Sequence, residues 1–151
     1  MARFTGTLQV DAGAIGNQEI SSSAAIDTSK MQHLYRRATG FGLAIGATPT
    51  TREEVVFVAE TAGSVQQFAA MCNDSGTSAS VTFDLKKNGV SILSSVVTIT
   101  HSTGDRVVVD GTLASTALAA GDVLSIALTV SSSTGMQGPF AWVTVKETAG
   151  V

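Results

Sequence analysis

From about residue 52 onward, apolar and polar residues alternate in short runs separated by turn residues, the period-two pattern of half-buried strands. Glu54–Glu60 is followed by Thr61-Ala62-Gly63, and Val65–Cys72 by a turn signal at Asn73-Asp74-Ser75-Gly76. Val81, Phe83 and Leu85 share one strand face, opposite Thr82, Asp84 and Lys86. Asn88-Gly89 is the strongest hairpin signal, because both residues tolerate the positive φ of a type I′ turn. Runs at Ser91–Leu93, Val96–Thr100 and Arg106–Leu113 follow, with a turn at Ser102–Asp105. Leu124, Ile126, Leu128 and Val130 form one face of a long strand, and Pro139 opens a last one over Phe140–Glu147. Ala114–Ala120 is long enough for one helical turn, too short to change the class. The pattern predicts an all-β antiparallel sandwich of about eight strands over residues 52–151, a number that favours a jelly roll over an immunoglobulin-like fold.

Residues 1–51 lack sustained alternation. Ile15, Ile20 and Ile26 stand as isolated apolar points among Gly, Ala, Ser and Thr. Within 28–38 a short helix is predicted: Asp27, Thr28 or Ser29 caps it, Met31, Leu34 and Tyr35 fall at i, i+3 and i+4, and Gly40 and Gly42 end it. A structureless stretch of that length is unusual inside a compact domain. The segment therefore reads as an extended N-terminal arm that orders on a partner, with a reach on the order of 150 Å when extended. The alternative is that part of it supplies extra strands at the domain's edge.

Composition sharpens this picture. Hydrophobic residues make up 44% of the 151 residues and charged residues only 14%. A weakly charged surface favours association, which suggests burial against partners. Residues 1–52 carry five basic and three acidic side chains; residues 53–151 carry four and nine. The basic residues of the body (Lys86, Lys87, Arg106, Lys146) are dispersed and no aromatics run among them, which argues against nucleic acid. Arg36-Arg37 reads either as a solvated surface pair or as a bidentate anchor for carboxylates on a partner surface. Cys72 is the single cysteine, so an intramolecular disulfide is excluded and a small buried hydrophobe is the simplest role for it. No apolar run reaches signal-peptide length near Met1 or the ~18 residues of a membrane span, so synthesis in the cytosol and no membrane partner are expected.

Reactive chemistry finds little support. His101, Ser102 and Asp105 are the nearest approach to a Ser–His–Asp set, but such triads are defined by geometry and not by sequence adjacency. One Cys and two distant His, His33 and His101, do not supply a zinc site. Asp74, Asp105 and Asp122 sit in turns, where calcium ligation and simple backbone bonding compete, and the latter suffices. Glu53-Glu54 point to opposite faces of a strand, unsuited to a glycosidase pair. Gly40-Phe41-Gly42 does not follow a strand into a helix, as a phosphate cradle would. Phe140 and Trp142 read as core or interface, or alternatively as a sugar-stacking platform. No enzyme activity, cofactor or metal is expected.

The run Ala79–Ser95 (ASVTFDLKKNGVSILSS) resembles a segment of phage virion proteins that carry a jelly-roll domain. Leu118–Ser125 (LAAGDVLS) is similar to a later turn and strand of that domain, and Ser29–Leu34 (SKMQHL) to the leader before it. Together these touch about a third of the chain, and they resemble most the capsid decoration, or cement, proteins of tailed phages. The resemblance implies a non-catalytic homotrimer on the virion's capsid surface, with an arm lying over the major capsid protein and stabilising the shell. Ile15, Ile20, Ile26, Met31, Leu34, Tyr35, Arg36 and Arg37 are the candidate partner contacts. A phage tail-fibre or receptor-binding head domain that binds glycan is the alternative.

Overall fold

The computed structural model describes residues 32–148. Among these there is no helix: eight strands form one curled antiparallel sheet. They are β1 (Gln32–Thr39), β2 (Arg52–Val58), β3 (Gly63–Lys87), β4 (Val90–Ser91), β5 (Val97–Thr100), β6 (Val109–Asp110), β7 (Ala117–Leu118) and β8 (Val123–Thr148).

Two very long strands organise the sheet. β3 and β8 pair from Gly63↔Glu147 to Lys87↔Leu124, with a register shift between Ser75 and Ser78 where the ribbon changes course. On the free side of β8, β1 flanks one half (Thr39↔Ala141, Gln32↔Thr148) and β2 the other (Arg52↔Leu128, Val58↔Val123). β6 and β7 flank the β1 half of β3, and β5 and β4 its β2 half. We call these the proximal half (with β1) and the distal half (with β2).

Alternation decides which side faces inward. Val81, Phe83 and Leu85 are fully buried, as are Leu124, Ile126 and Leu128 on the paired strand β8. Phe68, Val143 and Val145 belong to the same core from the proximal half. The Phe41 and Phe83 ring centroids lie 6.0 Å apart, and those of Tyr35 and Phe57 5.9 Å apart, so the curl closes around one core. Burying one large apolar side chain is worth roughly 1.5–3 kcal/mol, and this core contains many.

Several expectations need correction. Gln32–Thr39 is a strand and not the predicted helix 28–38, whose first residues lie outside the described region. The helical spacing of Leu34 and Tyr35 is incidental. Leu34 is 66% exposed, whereas Tyr35 packs against the core, as alternating strand positions require. The arm also does not extend to residue 51, since β1 is a full partner of β8 and Phe41 is wholly buried. The edge-strand alternative holds for this part of the chain. Asn73–Gly76 makes a bend within β3 and not a turn between strands. Asp74 Oδ1 accepts the Gly76 N–H at 2.8 Å, and Gly76 adopts φ +75°. The two strands expected over 124–130 and 140–147 are likewise one, β8. Arg106–Leu113 contributes only the two residues of β6, and Ala114–Ala120 contains β7 in place of a helical turn. Asn88-Gly89 does form the tight β3–β4 turn, with φ of 51° and 81°.

Candidate docking surface

The outward faces of the two halves differ sharply. In the distal half several outward side chains pair with one another, beside an exposed Val55. Lys86 Nζ lies 2.8 Å from Glu53 Oε2, Ser125 donates to Glu53 Oε1 at 2.6 Å, and Ser91 donates to Asp84 at 2.6 Å. The bond from Lys86, then that from Ser125, hold the Glu53 carboxyl below its ordinary range. Glu54 points the other way, accepting from Thr39 Oγ1 at 2.5 Å.

The proximal half presents a mixed face that carries an aromatic pair and few internal polar bonds. Register places Leu34, Arg36 and Ala38 of β1 beside Lys146, Thr144 and Trp142 of β8, and these beside Ser64, Gln67 and Ala69 of β3. Trp142 stacks near Phe140 (6.0 Å between centroids) and covers Ala69, which is fully buried outside the core cluster. The Arg36 guanidinium lies 6.0 Å from the Trp142 ring centroid, and that of Arg37 5.8 Å from Tyr35, within cation–π range. Among the described residues, the buried side-chain nitrogen and oxygen atoms without a hydrogen-bond partner are Trp142 Nε1 and Thr144 Oγ1, and both belong to this face. Leaving such groups unpaired is costly, so natural folds rarely collect them in one place.

This face runs into a recess of about 370 Å³ lined by Leu43, Ile45, Met71, Asn73, Pro139 and Phe140. The segment after β1 forms its wall. Phe41 N–H donates to Thr39 Oγ1 at 2.8 Å, and Arg52 Nη1 donates to the Phe41 carbonyl at 2.5 Å, clipping this segment to β2. Gly138 N–H donates to the Ala47 carbonyl at 2.9 Å and closes the other end. Ile45 sits at the rim, 73% exposed.

Of the predicted contact residues, Leu34, Tyr35, Arg36 and Arg37 all lie on β1, but on two sides of it. Leu34 and Arg36 belong to the outward face; Tyr35 and Arg37 share the core side. Ile15, Ile20, Ile26 and Met31 lie outside the described residues. The recess residues escaped notice because Leu43 and Ile45 fall in an unpaired segment, and Met71 and Phe140 read as ordinary strand positions. Met71↔Phe140 register is their only shared signal, and it is a tertiary one.

The other residues weighed for chemistry are occupied by local structure. Asp105 Oδ1 accepts both the N–H (2.9 Å) and the hydroxyl (3.0 Å) of Ser75 across the bend, while Ser102 bonds Thr100, so His101, Ser102 and Asp105 do not form a relay. Asp122 accepts from Ala119 N–H (2.8 Å) and Asn88 Nδ2 (2.7 Å). Among the described residues no group of three His, Cys, Asp or Glu is arranged to hold a metal ion. Burial pushes the Cys72 thiol up to about 12, away from reactivity. No family model matches the chain, and no curated protein does either.

Proposed function

We propose that this is a non-catalytic structural protein of a phage particle, a capsid decoration protein that acts by adhesion. In this reading the curled sheet is a jelly-roll sandwich whose proximal face docks on the major capsid protein as part of a homotrimer. The observation that carries it is the contrast between the two outward faces. On one, charged and hydroxyl side chains pair with one another beside an exposed Val55; the other leaves a recess, an aromatic pair and two buried unpaired polar atoms. Exposed apolar concavity of this kind marks an interaction surface. The resemblance of Ala79–Ser95 to phage virion domains supplies the identity of the partner. A glycan platform is less well supported, because Arg36 lies against the Trp142 ring and the indole N–H is buried.

The test is sedimentation of the purified protein with shells assembled from the phage's major capsid protein alone. Ile45→Asp, at an exposed rim position, is expected to weaken binding at least tenfold, about 1.4 kcal/mol or more. Val90→Asp, at an exposed position of β4 in the distal half, is expected to leave it unchanged. Equal binding by both variants, or none by the unmodified protein, overturns the reading.

A further inference from the structure

The two unpaired polar atoms on the outward side of β8 stand among hydrogen-bond donors. Trp142 Nε1 and Thr144 Oγ1 are both buried, and neither makes a hydrogen bond. Thr144 as a whole is only 8% exposed. The two residues alternate along β8, so their side chains share a face about 6.6 Å apart. Register sets Arg36 of β1 on one flank of Thr144 and Gln67 of β3 on the other. The Arg36 guanidinium lies 6.0 Å from the Trp142 ring centroid. An indole N–H and a guanidinium can only donate, and a hydroxyl can donate as well as accept.

The charges on this face agree. Among the described residues, Arg36 and Lys146 form no ion pair. Asp110, which register brings beside Ala69, accepts from Gln67 Nε2 at 3.0 Å. Glu147 is buried, where it accepts from the Glu60 N–H at 2.8 Å. Donors and positive charge therefore exceed acceptors around Trp142 and Thr144.

We propose that Arg36, Trp142 and Thr144 form a binding site for one carboxylate, an Asp or Glu side chain of the protein on which the proximal face docks. An ionised carboxylate only accepts, and it can take two bonds from one guanidinium. With bonds of ~2.8–2.9 Å, its two oxygens reach donors on side chains ~6.6 Å apart. Arg36 and Gln67 are exposed, so the flanks of the site are long side chains that can turn aside, not backbone. The guanidinium that shields the Trp142 ring from a sugar is thus the group that recruits the anion. Filling the site satisfies two atoms that are costly to bury unpaired. That the carboxylate comes from the docking partner rests on the adhesion reading; the site itself does not.

The first test uses the isolated full chain. Trp142 is the single tryptophan, so one indole N–H resonance reports on the site. Sodium acetate is expected to move that resonance downfield to saturation, and sodium chloride at equal ionic strength is not. Thr144→Val and Arg36→Gln are each expected to weaken acetate binding about tenfold, the loss of one charge-assisted bond. Lys87→Gln, in the distal half, is expected to leave it unchanged. Thr144→Val should also hold or raise the thermal midpoint, since a methyl replaces an unpaired buried hydroxyl. No saturable shift, equal affinity in all variants, a lowered Thr144→Val midpoint, or tighter binding of inorganic phosphate than of acetate overturns the site. The second test repeats the sedimentation with capsid-protein shells, where Arg36→Gln is expected to bind at least tenfold more weakly. Equal binding by Arg36→Gln and the unmodified protein overturns the carboxylate partner and leaves adhesion standing. Saturable acetate binding with no shell binding overturns the adhesion reading and upholds the site.

Discussion

Phe41 holds a left-handed backbone (φ 57°) with its ring fully buried, a costly conformation for a bulky residue. Its neighbours hold it there. Thr39 Oγ1 accepts from the Phe41 N–H and donates to Glu54, while Arg52 binds the Phe41 carbonyl. Thr39→Val keeps the shape but strands a buried N–H and part of a carboxylate, so a loss of about 1–3 kcal/mol is expected by urea denaturation. The carboxylates at the bend and the hairpin give a pH signature. The Ser75 backbone N–H, then its hydroxyl, hold the Asp105 carboxyl below its ordinary value, and the Ala119 N–H, then the Asn88 amide, do the same for Asp122. A carboxyl lowered on folding contributes stability above its unfolded value of about 3.9, and that contribution disappears as pH falls through the folded value. The urea midpoint should therefore drop between about pH 5 and pH 2.5. Asp105→Asn should lower the midpoint at the upper pH and flatten the drop; an unchanged slope would contradict the assignment.

At the level of elements, two glycines with similar backbones should respond differently to substitution. Gly89 (φ +81°) has open space where a Cβ would go, so Gly89→Ala should cost only the left-handed strain, about 1–2 kcal/mol. At Gly76 (φ +75°) a Cβ would lie 2.5 Å from the Thr134 carbonyl oxygen and 2.6 Å from Met136 N, both backbone atoms. Gly76→Ala should therefore cost more than about 3 kcal/mol, or prevent folding, and thermal denaturation of the pair measures the contrast. The same two positions show what could be read from sequence. Asn88-Gly89 was legible because a two-residue turn is a local event between clear alternations. Asp74-Ser75-Gly76 carries the same kind of turn chemistry, but the ladder to β8 continues on both sides of it, and only long-range pairing distinguishes a bend from a break. Val81–Leu85 and Leu124–Leu128 were legible through their period of two. β1 was missed because Met31, Leu34 and Tyr35 happen to have helical spacing. β6 and β7, two residues each, are too short to show any period. The recess was not legible, since its walls come from an unpaired segment and from two strands distant in sequence.

On the scale of the whole molecule, β3 and β8 pass through both halves, so neither half owns its central strands. The protein should unfold as one cooperative unit, with coincident fluorescence and circular-dichroism transitions and a calorimetric enthalpy equal to the van't Hoff value. Two separated transitions would mean that the halves are energetically independent. The pairing of β1 along β8, eight residues from Gln32↔Thr148 to Thr39↔Ala141, has a mechanical consequence. Tension entering at Gln32 along the strand axis loads the whole ladder at once, in shear. The same tension applied across the strand peels the ladder one bond at a time, beginning at Gln32. The grip of this molecule on anything attached through residues 1–31 is therefore directional, strong along β1 and weak across it.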